Sequence, residues 1–305
     1  VSVLLNNGNG TFAAKTDYTT GSGAYGVSID DLNGDGKPDL AVANSFANNI
    51  SVLLNNGNGT FAAKTDYTTG SNPTSVSIGD FNADGKPDLV VTNYWSNIVS
   101  VLLNNGNGTF AAKTDYTTNT NPTSVSIGDL NGDGKLDLAV ANSNSNNVSV
   151  LLNNGNGTFA AKTDYSTGPG PLSVRIGDIN ADGKLDLAVA NYWSNTVSVL
   201  LNNGDGTFAA KTDYTAGTAP VSVSIGDIDG DSKPDLAAAN FNSSTVSVLL
   251  NNTPPIVSLP RVAPTYTENA VPLLIDATAT VTDVDSLNFD TGALTVRFSN
   301  GGTAD

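Results

Sequence analysis

The chain repeats itself every 49 residues, and that period constrains the fold more than any other feature. The block Val-Ser-Val-Leu-Leu-Asn-Asn opens at Val1 and recurs from Ile50 (with Ile for Val), Val99, Val148, Val197 and Val246, with no insertion between copies. An acidic segment recurs with the same step, starting at Asp31, Asp80, Asp129, Asp178 and Asp227. A fixed period of roughly 40–50 residues belongs to propeller blades or solenoid turns, units that bury their apolar faces against their neighbours.

One period reads as four short strands. Thr123–Gly128 alternates, with Val125 and Ile127 on one face and Ser124 and Ser126 on the other. Leu136–Asn142 is a continuous run of small apolar residues, suited to a strand covered on both faces. Val148–Leu152 is β-branched and ends in Asn153-Asn154-Gly155-Asn156-Gly157, residues that tolerate positive φ. Phe159–Thr167 alternates again, with Ala160, Lys162 and Asp164 forming a polar face. The expectation is an all-β chain, a β-propeller of four-stranded antiparallel blades. Five blades are expected, closed by docking the spare Thr11–Thr20 strand beside Val246–Leu250. A larger ring is the alternative, because Val1–Asn6 is then redundant. The chain begins inside a recurring motif and is read as a piece of a longer protein.

Propeller repeats are expected over residues 1–252. From Thr253 the composition changes: Pro254, Pro255, Pro260 and Pro264 mark a stiff linker over 253–264, since proline cannot donate to a strand ladder. Residues 265–305 read as the start of a second β module, with short strands at Val271–Ile275, Ala279–Thr282 and Ala293–Ser299.

Composition narrows the chemistry. The 305 residues include no His, Cys or Met. Ser-His-Asp and Cys-His nucleophile pairs need an imidazole, and zinc sites normally need His or Cys, so these classes are excluded. No disulfide is possible. A formal net charge of −16 repels nucleic-acid phosphates and anionic lipid. No apolar run approaches the ~20 residues of a membrane-spanning helix, so neither a nucleic-acid partner nor membrane insertion is expected. A carboxylate pair could in principle run glycoside chemistry. The acids outside the acidic segments are mostly Asp17, Asp66, Asp115, Asp164 and Asp213, on outer strands beside Lys. They do not converge, and the chain is not expected to be an enzyme.

Each acidic segment reads Asp-x-Asn/Asp-x-Asp-Gly/Ser-Lys-x-Asp, and together the five hold 16 of the 29 acids. Oxygens at positions 1, 3, 5 and 9, with a backbone carbonyl at 7, can wrap one hard cation, and Ca²⁺ takes six to eight oxygens in flexible geometry. The candidate ligands are Asp31, Asn33, Asp35, Asp39 and the Lys37 carbonyl in the first loop. They are Asp80, Asn82, Asp84, Asp88 and the Lys86 carbonyl in the second. The third offers Asp129, Asn131, Asp133, Asp137 and the Lys135 carbonyl, the fourth Asp178, Asn180, Asp182, Asp186 and the Lys184 carbonyl. The fifth has Asp227, Asp229, Asp231, Asp235 and the Lys233 carbonyl, with Ser232 where the others have Gly. An EF-hand is excluded: it needs a Glu at position 12, which here is Val42, and the only Glu of the chain is Glu268. Crowding these carboxylates is repulsive unless a cation sits among them, and about five Ca²⁺ are expected.

The Asp-x-Asn-x-Asp-Gly-x-x-Asp loop between strands, with Gly-Asn-Gly-Thr-Phe downstream, resembles the FG-GAP/VCBS repeats of integrin α-subunit propellers and large bacterial surface proteins. Literal Phe-Gly and Gly-Ala-Pro signatures are absent; Gly-Thr-Phe-Ala stands in their place. Thr265–Ala270 followed by Val281–Ser286 resembles the cadherin-like modules of bacterial adhesins, and the resemblance implies an interdomain calcium site involving Glu268, Asp283 and Asp285. Such a family implies a secreted or surface-anchored adhesion protein, or a lectin-like propeller, with a protein or glycan of a cell surface or matrix as partner.

In a propeller the loops joining strands two and three share one face. Tyr94, Trp95, Tyr192 and Trp193 lie there, beside Ser and Asn, a composition suited to a sugar ring or a protein. Packing of these rings between blades is the competing reading, and it leaves a calcium-rigidified spacer as the alternative function.

Overall fold

The computed structural model describes residues 1–251, 256–258 and 280–282, and these form strands and turns without a helix. The chain opens with β1 (Ser2–Val3) and β2 (Thr16–Asp17), paired antiparallel. Four complete blades follow, each a four-stranded meander in chain order. The first is β3 (Ala24–Asp30), β4 (Asp39–Asn44), β5 (Asn49–Leu53) and β6 (Thr65–Thr68). The second is β7 (Pro73–Gly79), β8 (Asp88–Asn93), β9 (Ile98–Leu102) and β10 (Thr114–Thr117). The third is β11 (Pro122–Gly128), β12 (Asp137–Asn142), β13 (Asn147–Leu151) and β14 (Thr163–Ser166). The fourth is β15 (Pro171–Gly177), β16 (Asp186–Asn191), β17 (Thr196–Leu200) and β18 (Thr212–Thr215). A fifth blade has three strands, β19 (Pro220–Gly226), β20 (Asp235–Asn240) and β21 (Thr245–Leu249).

First strands lie side by side from blade to blade, β3 against β7, then β11, β15 and β19. The core is therefore divided into layers between neighbouring blades rather than gathered at one centre. One layer joins Ala41, Ile50 and Val52 of the first blade to Leu89, Val91 and Phe110 of the second, and the pattern repeats around the array. Because a blade lies on either side, β4, β8, β12 and β16 are buried at every residue, as the runs of small apolar residues predict. Each Val or Leu so buried stabilises the fold by about 1.5–3 kcal/mol.

The fourth strand is shorter than its alternation suggests. β14 begins at Thr163, and Phe159 makes only an isolated bridge to Asn153. The ring turns under the preceding blade instead, meeting Tyr116 edge-on at 5.3 Å, while Tyr165 meets Phe208 of the following blade at 5.2 Å. Tyr18–Phe61 and Tyr67–Phe110 repeat the pairing, which adds about 0.5–1.5 kcal/mol to each interface beyond burial. A second link runs between neighbouring loops. The buried Asn104 amide donates to the Leu32 carbonyl of the preceding blade and to its own Pro87 carbonyl, both at 2.8 Å. Asn153, Asn202 and Asn251 reach back to Phe81, Ile179 and Leu130 in the corresponding way: Asn153 to Phe81, Asn202 to Leu130, Asn251 to Ile179.

The expected strand exchange is not the pairing observed. Thr16–Asp17 pairs with Ser2–Val3, and Ser2 Oγ donates to Asp17 at 2.6 Å, as Ser51 does to Asp66 within a complete blade. The two N-terminal strands thus form the outer half of a blade, and Val1, Val3 and Tyr18 pack on Leu40, Val42 and Leu53. The physical reason is repetition: β2 finds in β1 the same partner sequence that β21 offers, and β1 is nearer along the chain. Among the described residues no strand pairs with the outer edge of β21.

Ile256–Ser258, inside the expected linker, forms a strand paired with Thr280–Thr282, which coincides with the expected strand at Ala279–Thr282. Val271–Ile275, Ala293–Ser299, Glu268, Asp283 and Asp285 lie outside the described residues.

Candidate metal centre and binding face

Each acidic loop joins the first strand of a blade to the second. Its last Asp is the first residue of that second strand, held inside by two backbone donors. Asp88 is fully buried and accepts from Phe81 N at 3.0 Å and Asn104 N at 2.7 Å. Asp39, Asp137, Asp186 and Asp235 accept equivalent pairs. Burial pushes the Asp88 carboxyl up to about 6, with the nearby Asp84 and Asp80 charges adding to the rise. Asp39, Asp137 and Asp186 are raised for the same leading reason.

The first Asp organises the turn. Asp31 Oδ1 accepts from Gly34 N and Asp35 N, and its Oδ2 from Gly36 N at 2.7 Å. Asn33 accepts from Asp35 N at 2.9 Å. The fifth-position Asp is turned outward: Asp35 lies 2.9 Å from Lys37 Nζ, and this hydrogen bond holds its carboxyl below the usual range. Asp84 and Asp133 pair with Lys86 and Lys135 in the same manner. Asp182 and Lys184 stand 3.5 Å apart.

The fifth loop differs. One carboxylate oxygen from each of Asp227, Asp229 and Asp235 lies within 4.8 Å of the others, the one such group among the described residues. Asp231 is nearly buried, and its Oδ2 has no hydrogen bond, standing 3.4 Å from Lys233 Nζ. Desolvation first, then the Asp231, Asp235 and Asp227 charges, raises the Asp229 carboxyl. Ser232 takes φ 69°, as its place in the loop demands. These oxygen-only donors fit a hard divalent cation. The other four loops have Asn33, Asn82, Asn131 and Asn180 at position 3, where the fifth has Asp229, so they offer an amide oxygen in place of the third carboxylate.

The Asn-Asn-Gly-Asn-Gly turns lie against the acidic loops: Gly108 N donates to Leu32 O at 3.1 Å, and a Cβ on Gly57 would meet Lys37 Cε at 2.5 Å. The turns joining strands two and three carry the aromatic residues at the opposite ends of those strands. Trp95 is 66% exposed and Trp193 71%, and each meets its neighbouring Tyr edge-on at 4.7 Å. Phe46 and Phe241 are exposed on the corresponding turns. The tryptophans therefore do not pack between blades. The Trp193 indole lies over Gly170, where an added Cβ would come within 2.1 Å of Cδ1.

Asp66, Asp115, Asp164 and Asp213 are each held by a Lys two residues back and by a Ser of the adjacent strand, Asp164 by Lys162 and Ser149. They are built into the sheet and do not converge. The sequence reading passed over two first-strand residues that reach the propeller axis, Tyr25 and Arg175. Their signal was a break in the repeat, since Arg175 stands where the other blades have Ser28, Ser77, Ser126 and Ser224.

A family model described as FG-GAP-like repeat matches five times, over residues 1–42, 31–91, 80–140, 129–189 and 178–238. The chain belongs to the FG-GAP-like repeat family. No curated protein matches. Among solved structures, this FG-GAP chain is similar to a putative 6-phosphogluconolactonase from Bacteroides uniformis, with 19% identity and a TM-score of 0.60, covering 81% of this chain and 72% of that one. It is similar to an Agrocybe aegerita lectin described in terms of recognition of non-reducing terminal N-acetylglucosamine, with 22% identity, a TM-score of 0.54, and coverage of 82% and 74%. A functionally unknown protein from Desulfotomaculum acetoxidans has 14% identity, a TM-score of 0.54, and coverage of 78% and 72%. At these identities the likeness shows the fold alone.

One expectation is corrected. The reading that the chain is not an enzyme does not stand as an exclusion, because a chain of this architecture is described as a putative lactonase. A chain without His lacks particular nucleophile pairs, while the scaffold itself is compatible with catalysis. Among the described residues no helix is long and apolar enough to cross a membrane.

Proposed function

We propose that this array of FG-GAP-like repeats is a calcium-stabilised extracellular binding module, with Ca²⁺ in its acidic loops and a glycan or surface protein on its aromatic face. The observation that carries the binding reading is the solvent exposure of Trp95 and Trp193, each braced edge-on by Tyr94 or Tyr192. Exposed, preorganised aromatic rings give contact area at low entropic cost and stack on sugar faces. A lectin among the fold neighbours supports a glycan. For the metal, the converging carboxylates of Asp227, Asp229 and Asp235 support the fifth loop, and its four sister loops offer the same spacing with an Asn oxygen in place of Asp229.

Calcium titration by calorimetry is expected to give about five equivalents, and fewer than four would overturn the metal reading. Trp95→Ala and Trp193→Ala, singly and together, test the face. They are expected to leave the melting temperature unchanged and to weaken binding on a glycan array and on cells. Unchanged stability with undiminished binding would favour a spacer.

A further inference from the structure

Near-identical repeats make every departure from the repeat conspicuous, and two departures fall on the propeller axis. The first strands read Ala-Tyr-Gly-Val-Ser-Ile-Asp, Pro-Thr-Ser-Val-Ser-Ile-Gly twice, Pro-Leu-Ser-Val-Arg-Ile-Gly and Pro-Val-Ser-Val-Ser-Ile-Gly. Val27, Ile29 and their equivalents never change, whereas the second position runs Tyr25, Thr74, Thr123, Leu172, Val221. Those five side chains, one from each blade, line a single cavity of about 460 Å³, with Tyr94 of the aromatic face at its edge. A second cavity of about 420 Å³ is lined by residues of the first four blades and shares Thr74 with the first; Arg175 is its one cation. The two are parts of one axial passage.

Arg175 is exposed there, with its guanidinium open to a ligand. Its guanidinium donates to the adjacent Val174 carbonyl at 2.9 Å and to no other described group, and it forms no ion pair. A guanidinium has five N–H donors in a planar fork that matches a carboxylate or sulfate. In a chain this acidic, such a cation facing the passage is a positive point in a negative field, where a bound anion meets the least repulsion. The other walls carry hydroxyls from Ser77, Ser126 and Thr74, the Tyr25 ring, which is 74% exposed, and one carboxylate, Asp30 of the first blade, so an anion is held at the Arg175 side. Leu172 and Arg175 are three residues apart on one strand, about 10 Å, so a ligand touching both levels is an oligomer rather than a single ring.

We propose that the axial passage binds an acidic oligosaccharide, its carboxylate or sulfate on Arg175 and a ring face on Tyr25. The proposal rests on the glycan reading above only for the class of ligand; the site is separate from the tryptophan turns. Arg175→Ser and Tyr25→Thr test it on the full chain, and each installs the residue that sister blades already carry, so folding is preserved. The probes are trigalacturonate, a sulfated chondroitin tetrasaccharide, neutral maltotriose and an acidic peptide, titrated in calcium at low and at physiological salt. Wild-type protein is expected to bind one of the two acidic sugars, which separates uronate from sulfate, and to bind maltotriose at least tenfold more weakly. Arg175→Ser is expected to lose tenfold or more for the acidic sugar with an unchanged melting temperature, and Tyr25→Thr to lose affinity as well. The proposal is overturned if neither acidic sugar binds, if Arg175→Ser binds as the wild type does, or if only the peptide binds. Loss in Trp95→Ala with retention in Arg175→Ser would overturn the axial site while leaving the aromatic face intact.

Discussion

Ala83 and Ala181 hold the fourth position of their acidic loops at φ 59° and 58°, where the other three loops have Gly34, Gly132 and Gly230. Space is not the difficulty. A Cβ on Gly34 or Gly230 meets nothing within 4 Å, and on Gly132 only the Gly204 carbonyl at 4.0 Å. The whole cost of alanine is therefore backbone strain, roughly 1–2 kcal/mol for an L-residue in the left-handed region. Glycine returns roughly 0.4–1 kcal/mol of that through a freer unfolded chain. Ala83→Gly and Ala181→Gly should each stabilise by about 0.5–1 kcal/mol, and the double variant by about 1–2 kcal/mol. For an array of this size that is a rise in melting temperature of roughly 3–6 °C. The reverse change Gly34→Ala should lower it by a like amount per site. Thermal melts in EGTA separate the backbone effect from any change in metal affinity. A double variant melting at or below the wild type, together with a harmless Gly34→Ala, would refute the reasoning.

If calcium fills the loops at a Kd near 10⁻⁴–10⁻³ M, tenfold saturation stabilises each site by about 1.4 kcal/mol, so EGTA should lower the melting temperature; no shift would count against calcium. Burial pushes the Asp88 carboxyl from 3.8 up to about 6 in the folded chain, so the stability its neutral form contributes is expected to be complete below pH ~4 and lost as pH rises through about 6. Calcium uptake at pH 6 should release about half a proton from that loop, read by calorimetry in buffers of different protonation enthalpy. Phe159→Ala should cost about 3–5 kcal/mol in a chemical denaturation, since the ring is buried against Phe81 and Tyr116, whereas Trp95→Ala should stay within about 0.5 kcal/mol.

The period, the four strands and the buried Leu-Asp-Leu-Ala-Val-Ala-Asn run were legible because spacing and apolar pattern are local properties of the chain. The acidic loops were legible for the same reason, as five equal spacings of Asp. What could not be read was choice of partner. Phe159 and Tyr165 lie on one face by alternation, yet serve opposite neighbours, and nothing in a self-similar sequence says which blade a ring belongs to. The same degeneracy hid the pairing of Thr16–Asp17 with Ser2–Val3, since five other third strands offer a near-identical edge. The outward turn of Asp35 toward Lys37 escaped notice because ligand spacing and an ion pair two residues away are written with the same letters. Arg175 was visible all along as a break in the repeat, but its place on the axis needed the fold.

The amide of Asn104 has a mechanical consequence. It ties a loop to the loop one blade back, and Asn153, Asn202 and Asn251 continue the series, so each step from blade to blade carries one such clamp. With contacts running from each blade to the next, such an array yields unit by unit under tension instead of all at once. Each released blade pays out 49 residues, a contour of about 160–175 Å, so a stretched chain lengthens in equal steps and dissipates work at every one.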